Sequence, residues 1–133
     1  MPDLTCTVVT PERTVLEKPA EFVALTLFDG EIGIAPGHTP LVGRLGAGEM
    51  RIVSGGGTDR YYVEGGFVEV LSDVVTVLTQ RALPAATLDE AAAREQLDQA
   101  RARKATTPDE FTLRDRAVDQ SRAQLRVARR AFS

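Results

Sequence analysis

The fold of the larger part of this chain is decided by the stretch Phe67-Val68-Glu69-Val70-Leu71-Ser72-Asp73-Val74-Val75-Thr76-Val77-Leu78. Apolar and β-branched residues recur with a period of about two on both sides of Ser72-Asp73, which is typical of half-buried strands joined by a tight turn. Similar short runs occur at 8–9, 22–27 and 61–63. These runs predict strands as far as Arg81.

Turn signals separate the predicted strands at close intervals. They are Thr10-Pro11, Lys18-Pro19, Asp29-Gly30, Pro36-Gly37, Gly46-Ala47-Gly48, residues 54–59 and Ser72-Asp73. Many short strands with such closely spaced turns favour an antiparallel β-sandwich or flattened barrel over a fold of alternating strands and helices. We therefore predict a β-sandwich domain over residues 1–84.

The pattern changes after Pro84, because no glycine follows it and alanine and arginine dominate. Thr87-Leu88-Asp89-Glu90 and Thr107-Pro108-Asp109-Glu110 both fit a capping box, in which the threonine accepts from the third helical amide. The sequence predicts one helix from Leu88 to about Lys104 and a second from residue 108 to about Ala131. Residues 85–133 are then an antiparallel α-helical hairpin appended to a mainly β fold.

The apolar residues of the second helix recur every seven positions, which predicts a narrow seam rather than a broad buried face. The seam consists of Phe111, Val118, Leu125 and Phe132, facing Ala93, Leu97 and Ala100 of the first helix. Isolated helices of this length are marginal in water. We therefore expect the hairpin to pack against another surface of the protein or of a partner, and we expect that this surface can vary.

Composition restricts the class of protein. The chain has 133 residues, 43% hydrophobic and 26% charged, with a net charge of −3, which fits one soluble core with a smaller appendage. This balance opposes general disorder and nucleic-acid binding. No signal-peptide pattern and no apolar run of about 18 residues occurs, so we expect no membrane span.

Catalytic chemistry is poorly represented. The chain has one histidine, His38, and one cysteine, Cys6, too few for a catalytic triad or a histidine-based metal site. The acids Asp29 and Glu31 lie in a turn region, where carboxylates are usually solvated. The glycine runs at 55–57 and 65–66 lack the spacing of phosphate-binding loops, so we expect hairpin turns and a bulge there. We predict no enzyme active site.

Arginines crowd the second predicted helix, and Arg122, Arg126 and Arg130 repeat at four-residue spacing, where like charges repel. The simplest interpretation is a solvated charged face. The alternative is an acidic partner or a bound anion that relieves the repulsion. The full set is Arg114, Arg116, Arg122, Arg126, Arg129 and Arg130.

Three stretches together resemble a known family. They are Gly30-Glu31-Ile32-Gly33-Ile34-Ala35-Pro36-Gly37-His38-Thr39-Pro40-Leu41, then Val63-Glu64-Gly65-Gly66-Phe67-Val68-Glu69-Val70, and the helical pair Leu88-Asp89-Glu90-Ala91 and Ala123-Gln124-Leu125-Arg126-Val127. Their order and spacing are similar to those of the epsilon subunit of the F-type ATP synthase, and the resemblance runs from end to end.

The resemblance implies a non-catalytic rotor subunit of the central stalk. The sandwich would bind the gamma subunit near His38 and the c-ring near Glu31, and would couple proton translocation to ATP synthesis. The hairpin would act on the alpha and beta subunits as a regulatory part that can fold down or extend to inhibit ATP hydrolysis, with Arg122, Arg126, Arg129 and Arg130 facing acidic residues of beta. Association with the membrane would occur only through the complex, on the cytoplasmic face of a bacterial plasma membrane or, alternatively, the stromal face of a thylakoid.

One departure concerns ATP. Bacterial members that bind ATP on the folded hairpin share a pattern Ile/Leu-Asp-x-x-Arg-Ala, whereas this chain has Ala92 in place of the arginine. Asp89, Arg122 and Arg126 remain. Loss of one charge-assisted contact, worth about 1.5–3 kcal/mol, implies weak ATP binding or none. We expect no other cofactor and no metal. The rival hypotheses are a stand-alone nucleotide-sensing module and an independent enzyme.

Overall fold

The computed structural model describes residues 3–131, in which strands occupy most of the chain up to Pro84 and helices the remainder. The strands are β1 (Leu4–Val9), β2 (Thr14–Ala20), β3 (Phe22–Leu27), β4 (Gly30–Ile34), β5 (Leu41–Arg44), β6 (Ala47–Ser54), β7 (Gly57–Glu64), β8 (Phe67–Leu71), β9 (Val74–Leu78) and β10 (Ala82–Pro84). A 3-10 turn (Ala85–Thr87) leads into helices α1 (Glu90–Ala102) and α2 (Pro108–Ala131).

The strands form two five-stranded sheets that pack face to face, which confirms the predicted sandwich. The first sheet has the order β2-β1-β9-β8-β5 and the second the order β10-β7-β6-β3-β4. Pairing is antiparallel except between β1 and β9, which run parallel with Thr5 opposite Val74. This one parallel pair is a departure within the antiparallel sandwich, and it arises because the chain returns to the side of β1 only after crossing to the other sheet several times.

The core lies between the sheets, where alternate residues of each strand point inward. In β8 and β9 the inward residues are Val68, Val70, Val75 and Val77, all essentially without exposed surface. This is the period-two pattern that the sequence predicts. Burial of such side chains contributes roughly 1.5–3 kcal/mol each, so the sandwich core is the main source of stability.

The glycine-rich and Ser-Asp turns form as predicted. Ser72 and Asp73 both adopt positive φ, at 49° and 62°, and Gly55 and Gly56 do the same at 57° and 81°. Consecutive positive φ angles suit two-residue hairpins, because this backbone matches the twist of the flanking strands. Each of these turns connects two strands, whereas the phosphate-binding loops of nucleotide-binding folds open a helix.

The predicted cap of α2 is confirmed, whereas that of α1 is wrong. The amide of Glu110 donates to Thr107 Oγ1 at 3.2 Å, as in a capping box. At α1 the cap is Asp89, whose carboxylate accepts from the amides of Ala91 and Ala92. The hydroxyl of Thr87 instead donates to the carbonyl of Pro84 at 2.7 Å. The 3-10 turn displaces the helix start to Glu90, and the helix ends at Ala102 rather than near Lys104.

The seam expected on α2 is present at Val118 and Leu125, but it is not the helix's whole apolar face. Leu125 packs against Ala93 and Leu97 of α1, while a second group, Ala123, Val127 and Ala128, packs on the sandwich. Phe111 is 43% exposed, and Phe132 lies outside the described residues. The last three turns of α2 are therefore buried on two sides, whereas its first turns are open. The domain boundary between residues 84 and 85 stays a prediction.

Candidate functional site: the surfaces of the sandwich and the hairpin

Helix α2 lies on the outer face of the second sheet, over β6 and β7. Because Met50, Ile52 and Val63 point into the sandwich core, the alternate residues Glu49 and Tyr62 point toward the helix. The contact buries mainly small side chains: Ala85, Ala123, Val127 and Ala128 surround Tyr62, with Leu88 at the edge. Alanine contributes little area, so the apolar part of this interface is modest.

Tyr62 is the largest fully buried side chain in the described part of the chain, and it lies at the centre of this contact. Its hydroxyl donates to Glu64 Oε1 at 2.7 Å. Burial raises the pKa of Tyr62 well above its usual range; the hydrogen bond to Glu64 and the charge of Glu64 raise it further, and a side-chain hydrogen bond with Gln124 of α2 opposes them. The phenol is therefore neutral at any ordinary pH. Its hydrogen bond with Gln124 joins the sheet to α2 inside an otherwise apolar cluster.

Glu49 lies directly opposite Tyr62 in the β6–β7 pair, and its side chain is 2% exposed. Its Oε1 accepts from Arg51 at 3.0 Å and from Arg60 at 3.1 Å, and Nη1 of Arg130 in α2 lies 4.0 Å away. Its Oε2 is buried without a hydrogen-bond partner among residues 3–131. A carboxylate in such a position is costly unless the surrounding charges stay in place.

A cavity of about 180 Å³ opens beside Glu49, between the sandwich and α2. Its lining comprises Thr26, Glu31, Ala47, Gly48, Glu49, Arg126, Val127 and Arg130. Glu31, which was expected at a partner surface, and Arg126, which was expected at an ATP site, thus line one cavity. A second charged contact, 3.0 Å from Arg129 Nε to Glu90 Oε1, joins the end of α2 to the start of α1.

The proposed ATP-site residues occupy different settings. Asp89 uses one carboxylate oxygen to cap α1. Arg122 and Arg126 lie one turn apart on α2 and are exposed, with Arg126 on the cavity side. Among the contacts of residues 3–131 none joins Asp89 to either arginine, so ATP binding there stays a prediction. Among residues 3–131, no group of three His, Cys, Asp or Glu side chains is arranged for a metal ion.

Glu31 and His38 lie beside different elements. Glu31 belongs to β4 rather than to a loop, is 61% exposed, and lies 3.9 Å from Arg51. His38 is half-buried, and its Nδ1 lies 2.7 Å from the carbonyl oxygen of Thr39. The preceding amide of Gly37 donates to Asp73 Oδ1 at 2.7 Å, which fixes the His38 loop against the β8–β9 turn.

The outer face of the first sheet carries an apolar surface that was not anticipated from the sequence. We call it the apolar sheet face; its members are Val42 (72% exposed), Phe67 (56%), Leu71 (51%), Leu78 (51%) and Val74 (40%). Phe67 faces Leu78 and Leu71 faces Val74 across β8 and β9, and the polar pair Glu69 and Thr76 lies between these two apolar pairs. The signal was available, since apolar residues occur at both the inward and the outward positions of these strands. An exposed cluster of this kind marks an interaction surface in soluble proteins.

A further surface feature borders the apolar sheet face, because Arg44 of β5 lies opposite Phe67 of β8. The guanidinium of Arg44 lies 5.0 Å above the ring of Phe28, which is 69% exposed. No helix of the described part of the chain is long and apolar enough to cross a membrane.

Comparison with known proteins agrees with the resemblance. A family model described as the β-sandwich domain of the ATP synthase delta/epsilon chain matches residues 3–85. The ATP synthase epsilon chain of Rhodopirellula baltica is 48% identical over 93% of this chain and 97% of its own length. That of Symbiobacterium thermophilum is 39% identical over 97% and 88%.

Solved structures share the fold. A chain in the Euglena gracilis mitochondrial ATP synthase, in a structure of its OSCP/F1/c-ring, superposes with a TM-score of 0.84 at 24% identity, covering 92% of this chain and 79% of that one. A chain of the Tetrahymena thermophila central stalk and c-ring gives 0.73 at 12% identity, covering 94% and 96%. Relatives match nearly the whole length of this chain, and the family model matches its sandwich. The chain therefore belongs to the ATP synthase epsilon-chain family, whose members are non-catalytic subunits of that complex.

Proposed function

We propose that this chain is a rotor subunit of the central stalk of an F-type ATP synthase. In this role the sandwich binds the gamma subunit and the c-ring and helps to couple proton translocation to ATP synthesis, and the hairpin regulates ATP hydrolysis. The protein is then peripheral, held at the cytoplasmic face of a bacterial plasma membrane through the complex. Similarity to bacterial epsilon chains over nearly the full length supports this location.

The observation that carries the proposal is the apolar sheet face on the side of the sandwich away from the hairpin. Phe67, Leu71 and Leu78 are each more than half exposed, while the other sheet is covered by α2. Burying these side chains against a partner would stabilise a complex by roughly 25 cal/mol per Å² of apolar surface. We assign this face to the gamma subunit, because the family resemblance implies gamma as a partner of the sandwich and an exposed apolar cluster suits a protein interface.

The His38 loop supports the same assignment. It is held to Asp73 in the β8–β9 turn, so it borders the end of the apolar sheet face at Leu71 and Val74. Protein interfaces commonly have an apolar core surrounded by a polar rim. Here the apolar sheet face would be the core and the His38 loop part of the rim. His38 then contributes to gamma binding from the rim.

Glu31 is assigned to the c-ring side of the sandwich. Its carboxylate is well exposed, and the ion pair with Arg51 at 3.9 Å is a weak surface contact. The carboxylate of Glu31 can therefore still bind a partner. A carboxylate at this position can meet the polar loops of c subunits.

The hairpin is docked on the sandwich in this structure through a small, alanine-rich contact. Such a contact is within the few kcal/mol that a partner can overcome. Arg122 and Arg126 are exposed in the docked form and remain available to acidic groups of the alpha and beta subunits after extension. ATP, if it binds through Asp89, Arg122 and Arg126, would bind weakly because position 92 lacks a guanidinium.

Reconstitution with the gamma subunit tests the rotor assignment. The double substitution Phe67→Ser, Leu71→Ser should weaken binding to purified gamma by at least about tenfold, because two desolvated contacts are lost. Leu113→Ser is the matched control, since Leu113 is 55% exposed but lies on α2. Equal gamma affinity of the double variant and the control would refute the assignment of the apolar sheet face.

Hydrolysis by the assembled enzyme tests the regulatory role. Arg129 and Arg130 form ion pairs in the docked form, so substituting them would also change docking. Substituting the exposed Arg122 and Arg126 therefore tests the extended form more directly. The double change Arg122→Gln, Arg126→Gln and the deletion of 85–133 should both raise ATP hydrolysis by de-energised membranes. If both preparations hydrolyse ATP at the rate of the intact complex, the hairpin is not an inhibitor.

A further inference from the structure

The burial of Glu49 depends on the hairpin. Glu49 points outward from the second sheet, because its neighbour Met50 points into the sandwich core. An outward carboxylate on a bare sheet would be solvated. Its side chain is nevertheless 2% exposed, because α2 covers it and brings Val127 and Arg130 to the same cavity.

Glu49 also holds together charges that would otherwise repel. Arg51 and Arg60 are directly opposite each other in β6 and β7, and like charges in this position are unfavourable. Glu49 Oε1 accepts from both guanidinium groups and lies 4.0 Å from that of Arg130. One carboxylate therefore compensates two positive charges of the sandwich and one of the hairpin.

Removing that negative charge would change the docking surface for α2. Arg126 and Arg130 would then approach a sheet on which Arg51 and Arg60 are opposed mainly by Glu31, which is exposed and 3.9 Å from Arg51. The apolar contact, built largely from alanine, has little free energy with which to offset this repulsion.

We propose that Glu49 is an electrostatic latch that keeps the hairpin docked on the sandwich, with Arg130 as its partner on α2. The latch deepens the proposed regulatory role and rests on the hairpin being able to leave the sandwich. When α2 detaches, Glu49 is hydrated together with Arg51 and Arg60, and Arg130 leaves with the helix. Removing the buried carboxylate leaves the arginines around it uncompensated, so Glu49→Gln shifts the equilibrium toward the detached hairpin. The side chain of Arg130 is 57% exposed, so Arg130→Gln shifts the equilibrium in the same direction by less.

Hydrogen exchange on the isolated full chain measures this equilibrium, because a detached α2 would lose the packing that protects its amides. The variants are Glu49→Gln, Arg130→Gln and the double substitution. The matched controls are Glu31→Gln, which removes an exposed carboxylate from the same cavity, and Arg122→Gln, which removes an exposed arginine from the same helix. Amides of β8 and β9 report whether the sandwich remains folded.

We expect exchange in 121–130 to be faster by about tenfold to a hundredfold in Glu49→Gln and by a smaller factor in Arg130→Gln. The double variant should resemble Glu49→Gln within about threefold, because the two residues act on one contact. The controls should leave the same amides unchanged within about threefold.

Two results would overturn the latch: unchanged exchange of 121–130 in Glu49→Gln, or fully additive effects of the two substitutions. If Glu49→Gln also exposes β8 and β9, Arg130→Gln decides, because it alters only the helix surface. Failure of the rotor or inhibitor proposal would appear in the complex, as unchanged gamma binding or hydrolysis, and is thus distinguishable from failure of the latch.

Discussion

Gly66 lies against the backbone of Leu78: a β-carbon on Gly66 would be 1.8 Å from the carbonyl oxygen of Leu78. This close approach occurs where the chain leaves β7 in one sheet and enters β8 in the other. The amide of Leu45 also donates to the carbonyl of Gly66 at 2.8 Å. The crossing between the sheets therefore depends on the missing side chain at this position.

Gly66→Ala should destabilise the protein by about 3 kcal/mol or more, because both the positive φ of 99° and the backbone contact must be relieved. Gly65→Ala is the matched control, since Gly65 has φ of 70° but open space around its α-carbon. Its cost should be about 1–2 kcal/mol. Urea unfolding of the two variants gives the comparison, and equal losses would show that the Leu78 contact is unimportant.

Substitutions can distinguish the contributions of Asp89 and Thr87 to the N-terminus of α1. Asp89→Ala should cost about 1 kcal/mol of hairpin stability, because two amides lose their acceptor. Thr87→Ala should cost clearly less, since its hydroxyl contacts only the Pro84 carbonyl. Exchange of the first amides of α1 is the measurement. A larger effect of Thr87→Ala would restore the capping box that the sequence predicts.

The buried thiol of Cys6 makes stability sensitive to alkaline pH. Burial raises the pKa of Cys6 from 9.0 to about 12, with the charge of Lys18 opposing the shift. Between these values the folded state keeps a proton that the unfolded state has lost, so the free energy of unfolding falls as pH rises from about 9 toward 12, by up to about 1.4 kcal/mol per pH unit. Below that window Cys6 contributes no pH dependence.

Cys6→Ala should therefore flatten the fall in stability above about pH 9, whatever its effect at neutral pH. Urea midpoints of the two proteins between about pH 8 and pH 10 provide the measurement. Tyr62, whose pKa is also raised, contributes in the same direction at higher pH in both proteins. An identical slope for the variant and the parent would mean that the thiol ionises normally in the folded state.

The sandwich should fold without the hairpin. The core residues between the two sheets all lie within 1–84, whereas deletion of 85–133 removes the cluster around Tyr62 and the cluster between α1 and α2. The truncated chain should unfold cooperatively at a lower urea concentration than the full chain, because Tyr62 and Glu49 become exposed. Tyr62→Ser should have less effect in the truncated chain than in the full one. A non-cooperative transition would mean that the division at residue 84 is wrong.

Local features were determined by the sequence itself. The inward valines of β8 and β9, the Ser72-Asp73 and Gly55-Gly56 turns and the Thr107 cap of α2 all appear where the pattern predicts them. Each depends on residues within a few positions of one another, so side-chain period and backbone preference suffice. The family resemblance could be recognised from the sequence because its motifs are short, contiguous and occur in a fixed order along the chain.

Other features were decided by tertiary structure. The parallel pairing of β1 with β9 joins residues about seventy positions apart, and no local pattern specifies it. The 3-10 turn that makes Asp89 the cap of α1 forms where Ala85 packs under α2. Glu49 looks in the sequence like any outward carboxylate of a strand. Its burial depends on Arg126, Val127 and Arg130 of α2, which lie more than seventy positions later in the chain. No local pattern specifies that contact, because it depends on how the outer face of the second sheet and the surface of α2 fit together.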